Sequence, residues 1–350
     1  MIVDSILETI GRTPLLQLPL RGGEIQLFIK LEMFNPTGSM KDRMALSMVD
    51  NLPITQDKPT TGIVESSSGN TASALAMISA VRRLDFTALM DSHASLDKIL
   101  TVRAFGSSVQ IVGNDDGALA TDQRDEQARR VAVEEDAYWT EQHNNPANAD
   151  GYRGLAAELL EDLGPTITHF VSAIGTGGSL CGTARQLRLH IPGVQVIGVE
   201  PAGSIIFGGH GGQYLQSGTG TPEGANVGIV IDYDVIDRGR KIADDKAFSI
   251  CHYLAQRHGL LVGGSTGGAI YEALGVAREA PVGSCIVTLA CDSGTKYLDT
   301  IFNQDWLSSH NIHLIDIEAQ FADLLGKAPR CAAAATGSRP TWPLNFSKRR

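Results

Sequence analysis

Residues 169–182 read His169-Phe-Val-Ser-Ala-Ile-Gly175-Thr176-Gly177-Gly178-Ser179-Leu-Cys-Gly182. An apolar run enters a glycine turn, and the turn opens a segment with helical spacing over residues 180–189, so the stretch predicts strand, tight turn and helix. Consecutive backbone N–H groups at a helix start, with hydroxyls at Thr176 and Ser179, form a neutral cradle for a phosphate. A plain strand-to-helix turn has the same pattern. A dinucleotide site is a rival, because the next apolar run ends in Glu200, about where a ribose-binding acid belongs. The spacing is against it: Gly175 and Gly177 fit G-x-G-x-x-G, but the third glycine position is Leu180.

The same alternation extends in both directions. Short apolar or β-branched runs recur at residues 25–31, 61–65, 86–90, 109–112, 194–200, 260–262 and 284–290, and helical spacing appears at 71–82 and 96–105. Strands alternating with helices imply α/β architecture with mostly parallel sheets covered on both faces, and ligands bind beyond the carboxyl ends of such strands. A chain of 350 residues allows two domains of ordinary size. Residues 121–137, dense in alternating charge, are expected to form a solvated helix. Asn144-Asn145-Pro146-Ala147-Asn148 marks an inter-domain crossing. Residues 327–350 carry six basic and no acidic side chains and three prolines, and read as a disordered basic tail.

Composition narrows the function. The net charge of -10 (29 Lys and Arg against 39 Asp and Glu) repels phosphate backbones, so no nucleic-acid partner is expected. The five cysteines include no C-x-x-C pair, which suits a reducing compartment. Asp4 and Glu8 stand where a signal peptide would need basic residues, and no run of eighteen apolar residues occurs. A soluble cytoplasmic protein without a membrane partner is expected.

Two more loops leave strands for helices. In Glu65-Ser66-Ser67-Ser68-Gly69-Asn70-Thr71, hydroxyls, an amide and helix N-terminal N–H groups suffice to grip a carboxylate without arginine, although an ordinary N-cap uses the same residue types. Gly263-Gly264-Ser265-Thr266-Gly267 matches the G-x-S-x-G elbow of serine hydrolases. Asp292 and His310 follow in triad order, and His210-Gly211-Gly212 offers an oxyanion loop. A hydrolase using Ser265 is therefore the alternative from another class.

The stretch Asn35-Pro36-Thr37-Gly38-Ser39-Met40-Lys41 puts a lysine at the mouth of a helix, where the dipole lowers its pKa and favours the free amine that Schiff-base chemistry needs. In order along the chain, Lys41 in its turn, Ser68-Gly-Asn-Thr71, Gln142 before Asn145-Pro-Ala-Asn148, the Gly175 turn, Val199-Glu-Pro201, the Ser265 loop and Asp292-Ser-Gly294 resemble the cysteine synthase / cystathionine β-synthase family of pyridoxal-phosphate enzymes. The resemblance spans residues 10–297. It implies fold type II: two three-layer αβα domains, a large cofactor-binding one from residues 1–35 plus 146–315 and a small mobile substrate domain from 36–145. It also implies a homodimer, small amino-acid substrates and no metal.

By the same resemblance Lys41 is catalytic and carries pyridoxal 5'-phosphate, Asn70 bonds the cofactor's phenolic oxygen, and Gly175, Thr176, Gly177, Gly178 and Ser179 hold its phosphate. Ser265 faces the pyridine nitrogen. Ser67, Ser68, Gly69, Thr71 and Gln142 bind the substrate carboxylate. The implied reaction, of transferase or lyase type, is β-replacement on O-acetylserine or O-phosphoserine through an aminoacrylate, as in cysteine synthesis. Two stretches depart from the usual pattern. Asn226 stands among glycines at residues 224–229, and Arg153-Gly154-Leu155-Ala156-Ala157-Glu158 replaces the usual acidic segment. Both are expected to border the second substrate's approach, with Arg153 as a cation for an amine nucleophile that carries carboxylates. Residues 253–265 resemble the branch that joins O-phosphoserine to glutamate on the route to 2,3-diaminopropionate.

Overall fold

The computed structural model describes residues 2–55, 58–92, 94–113 and 121–325. The basic tail expected at 327–350 lies outside them. The chain begins with β1 (Leu15–Leu18), β2 (Gln26–Lys30) and α1 (Lys41–Asp50), then a short ribbon of β3 (Ile54–Thr55) and β4 (Lys58–Pro59). Next come β5 (Gly62–Ser66), α2 (Asn70–Arg82), β6 (Asp85–Asp91), α3 (Leu96–Ala104), β7 (Ser108–Val112), α4 (Thr121–Glu134) and β8 (Tyr138–Trp139). The chain continues through α5 (Pro146–Asp150), α6 (Arg153–Leu163), β9 (Ile167–Ala173), α7 (Gly178–His190), β10 (Gln195–Pro201) and β11 (Arg238–Ile242). It closes with α8 (Asp244–His258), α9 (Gly264–Glu279), β12 (Cys285–Leu289), α10 (Gln304–Ser309) and α11 (Ile317–Gln320).

Two sheets result, each in its own domain. The larger has the order β1-β2-β12-β9-β10-β11 and is parallel except for the β1/β2 pair; the smaller has the order β7-β6-β5-β8 and is wholly parallel. Strands covered on both faces read as continuous apolar runs, and β12 (Cys-Ile-Val-Thr-Leu) is buried at every position. Leu180 and Ala184 of α7 share one apolar cluster with Phe170 and Val196, while Ile270 and Ala273 of α9 share another with Val171 and Ile197, so the two helices cover opposite faces of the large sheet. A single apolar cluster joins Met44, Ile63 and Leu75 of the small domain's side to Phe170 and Leu180 of the large one, so the two domains meet through packed side chains. The crossing near residue 145 is a helix start: Asn145 caps α5 by accepting from Ala147 N at 3.0 Å, with Pro146 at the first helical position. Among the described residues no helix is long and apolar enough to cross a membrane.

Several local expectations are corrected. Residues 260–262 form no strand, because only five residues separate the end of α8 from α9, and Val262 makes an isolated bridge to Ser293. Edge strands β1 and β11 escape the sequence pattern, since β11 is Arg-Gly-Arg-Lys-Ile, with Arg238 half-buried and Arg240 and Lys241 exposed. Helix α4 is not merely solvated. Its Ala128 and Val131 pack on Val64 and Leu89, and Arg124 points toward the carboxyl ends of the small sheet.

Candidate functional site

Between the carboxyl ends of the two sheets lies a cavity of about 330 Å³. Its floor holds Lys41, the first residue of α1. The preceding turn is tied down on every side. Asp42 accepts from Thr37 N at 2.8 Å and from the Thr37 hydroxyl, Met40 N donates to Cys291 O at 2.8 Å, and buried Tyr152 donates to Met40 O at 3.2 Å. Burial lowers the Lys41 pKa, against opposing pulls from Cys291 and Asp292. Desolvation, more than the helix dipole, therefore favours the neutral amine.

One wall is the 67–71 loop at the start of α2. Ser67, Ser68, Gly69, Asn70 and Thr71 all line the cavity. Thr71 donates to Gln142 Oε1 at 2.8 Å, joining this loop to the one after β8. Asn70 spans the cleft: its amide donates to Asp292 Oδ2 at 2.7 Å and its carbonyl accepts from Lys296 Nζ at 2.6 Å. Ser68 is held by a partner no motif announced. Arg124 Nη1 donates to Ser68 Oγ at 2.8 Å and to Asp91 Oδ2 at 2.9 Å.

The opposite wall carries Gly175 and Thr176, followed by Ser217, Gly218, Thr219 and Gly220, a second loop the sequence reading left unassigned. Gly220 N and the Thr219 hydroxyl both donate to Ile174 O, at 2.8 and 2.7 Å, which fastens that loop beside the turn. The turn needs its glycines for definite reasons. Gly177 has φ +91°, and a Cβ on Gly178 would lie 1.9 Å from Asn148 Oδ1. Gly177, Gly178 and Ser179 stand behind the cavity lining at the mouth of α7, where N–H groups lack partners within the helix. Ser265, also behind the lining, is 5% exposed near the start of α9 and within reach of the Cys291 thiol.

Other expectations fail on geometry. His310 is exposed, stacks on Trp306 at 4.2 Å and donates from Nδ1 to Trp306 O, while Asp292 is engaged by Asn70 and by Tyr297 Oη at 2.6 Å. No Ser265–His310–Asp292 relay exists, so the hydrolase reading is discarded. Glu200 is fully buried and accepts from Ile206 N and Phe207 N at 2.8 and 3.0 Å, leaving no ribose-binding acid. Arg153 pairs with Asp150 at 2.6 Å on the surface, and Asn226 is exposed; neither lines the cavity. Arg153 opens α6, where the i, i−3 neighbour Asp150 captures it.

His143 and Lys98 also line the cavity and were missed. Burial, reinforced by Lys41 and Arg124, holds the His143 pKa down at about 4, so its imidazole is neutral at neutral pH. Behind the loops sits Glu65, 1% exposed at the end of β5, which accepts from the Thr140 hydroxyl and from Gln142 N at 3.3 Å. Burial pushes its pKa up to about 8 despite those bonds. The folded state then binds more protons than the unfolded state above the ordinary value of 4.5. Stability is full below 4.5, declines across the window to about 8 and stays low above it. Urea midpoints measured across this range should fall for the wild type and stay flatter for Glu65→Gln; parallel profiles would contradict the assignment.

The profile of the family described as "Pyridoxal-phosphate dependent enzyme" matches residues 6–292. A Sinorhizobium fredii (strain NBRC 101917 / NGR234) protein provisionally named a cysteine synthase is 43% identical over 335 residues, 94% of this chain and 99% of its own. An N-(2-amino-2-carboxyethyl)-L-glutamate synthase of Cupriavidus metallidurans is 36% identical, covering 88% of this chain and 92% of its own. Among solved structures, the O-acetylserine dependent cystathionine β-synthase of Helicobacter pylori superposes with a TM-score of 0.76 at 33% identity, over 86% of this chain and 98% of that one.

Proposed function

The chain belongs to the pyridoxal-phosphate dependent enzyme family, acting by β-substitution on serine derivatives, and from that premise we propose that its donor is an O-activated L-serine, O-acetylserine or O-phosphoserine, as in cysteine synthesis. One observation carries the reading. A buried, deprotonation-prone amine lies at the floor of a cavity walled by a hydroxyl-rich loop on one side and a neutral glycine turn on the other.

The residues present fit the cofactor. The Thr176 oxygen accepts from Asn148 Nδ2 at 3.0 Å, which turns its hydroxyl proton toward other acceptors. Next to it the close approach of Gly178 to Asn148 brings bare backbone to the mouth of α7, the donor set a phosphate takes. Pyridoxal phosphate supplies an electron sink that labilises the α proton and the β substituent of a bound amino acid. Lys41 holds the cofactor and moves the α proton at its Nζ. Asn70, fixed by Asp292 and Lys296, presents its amide to the cofactor's oxygen, and Ser67, Thr71 and Gln142 orient the substrate carboxylate. Ser265 offers the ring nitrogen a neutral hydroxyl in place of a carboxylate, which disfavours transamination and favours prompt departure of the leaving group. Closure of the small domain over the cavity excludes water. As in the family, we take the protein to act as a homodimer.

The second reading is condensation of O-phosphoserine with glutamate toward 2,3-diaminopropionate. The Cupriavidus metallidurans relative and residues 253–265 favour it. A matrix of both donors against sulfide, glutamate and other amines, read by mass spectrometry, tests both. The first reading expects cysteine from a donor with sulfide, the second the conjugate of O-phosphoserine with glutamate, and no product in any cell would overturn both.

A further inference from the structure

Among the described residues, the ionisable side chains lining the cavity are Lys41, Asp91, Lys98 and His143. Three are accounted for within the protein. Lys41 is desolvated toward its free amine, His143 is neutral, and Asp91 is paired with Arg124 at 2.9 Å. Lys98 differs. It projects from the first turn of α3 in the small domain, and its ammonium stands 5.9 Å from the centre of the Tyr297 ring, which belongs to the large domain's side. It forms no ion pair with any described residue. The other charge it faces is like its own: Lys296, engaged by Asn70 and Asp292, feels Lys98 as a repulsion. Among the described lining residues, Lys98 thus carries a positive charge with no ion-pair partner, and the hydroxyl-rich 67–71 loop needs no cation to hold an α-carboxylate.

We propose that Lys98 is a specificity-determining residue that binds a phosphate or carboxylate carried by one of the two reacting molecules outside the donor's own α-carboxylate. The inference rests on the β-replacement reading. The anion has two sources of shared chemistry: the phosphate of the donor, which leaves, or a side carboxylate of the incoming amine, which stays. A desolvated ammonium-to-oxyanion bond discriminates against an uncharged analogue by roughly 10- to 100-fold.

Calorimetry on the cofactor-loaded protein, with inorganic phosphate and with glutarate as probes, reads binding without turnover. At least one probe should bind the wild type, Lys98→Met should weaken it about 10- to 100-fold, and Lys98→Arg should recover most of the loss. Phosphate as the sensitive probe identifies the donor as source, and glutarate identifies the nucleophile. In turnover the same variant should lower the kcat/KM ratio of O-phosphoserine to O-acetylserine in the first case, or of glutamate to ethanolamine in the second, chiefly through KM. If neither probe binds the wild type, or both bind Lys98→Met equally well, Lys98 is only a solvated surface lysine. Should no donor be turned over at all, the β-replacement reading fails while calorimetry still decides the role of Lys98.

Discussion

Lys41→Ala, purified with pyridoxal phosphate, should lose the covalent linkage to the cofactor and at least about 10³-fold of its turnover, the usual scale for removing a positioned acid–base group. The reason lies in how the amine is prepared. It is 9% exposed, its backbone is pinned through Met40 to Cys291 and Tyr152, and burial lowers its pKa. Among the described residues the only other lysine lining the cavity is Lys98, so no second buried amine is there to take over the linkage. Borohydride reduction of the wild type followed by peptide mapping should place the cofactor on Lys41. A label on another lysine, or an unchanged visible spectrum in Lys41→Ala, would overturn the assignment. Free amine added to the variant should restore part of the activity, because the deleted group acts as a base and not as a structural prop.

Arg43→Met should be the most destabilising single change near the site, by about 3–5 kcal/mol, the cost of leaving buried carboxylates without their partner. Arg43 donates to Glu32 at 2.7 and 2.8 Å and to Glu158 at 2.7 and 2.9 Å, and Glu158 also pairs with Lys30 at 3.0 Å. Glu32 is 0% and Lys30 1% exposed, so water cannot replace the lost bonds. Thr13 and Asn35 still donate to Glu32, at 2.6 and 3.0 Å, but neither carries charge. Urea unfolding checks the magnitude; a loss under about 1 kcal/mol, typical of exposed pairs, would show that the cluster behaves as a surface one. The cluster also sets a pH limit. Burial opposes ionisation of Glu158, yet Arg43 and Lys30 outweigh it and hold its pKa at about 2. That stabilisation is present above 4.5 and drains away as the pH falls toward about 2. Because Arg43 sits two residues after Lys41, the variant should also bind the cofactor less completely.

The parts of this site that were legible in the sequence are those made by backbone. A glycine that must adopt positive φ, an Asn-Pro helix start and apolar runs closed by turns are local facts: the 169–182 stretch displays the first and the last within fourteen residues, and Asn145-Pro146 the second. What stayed hidden depends on side chains meeting across distance. Arg124 lies in a charge-dense segment whose composition announces only solvent, and its contact with Ser68 exists because α4 packs on β5 and β6. Arg153 looked available for the opposite reason: the sequence does not show that the turn between α5 and α6 brings Asp150 within 2.6 Å of it. His143 gives no pattern at all, since a histidine beside Gln142 is ordinary until burial is known. Strand β11 was invisible because an edge strand needs no apolar face on its open side.

The 1.9 Å separation between Asn148 Oδ1 and the place of an absent methyl on Gly178 couples two segments thirty residues apart. Since Asn148 is itself anchored to Gln142 O at 2.7 Å and to Thr176, it cannot step aside. Drift at either position is therefore not independent: a lineage could admit alanine at 178 only after shrinking residue 148, and that first step would already release the hydroxyl of Thr176. Any change of the turn at 178 on this scaffold thus has to begin at residue 148.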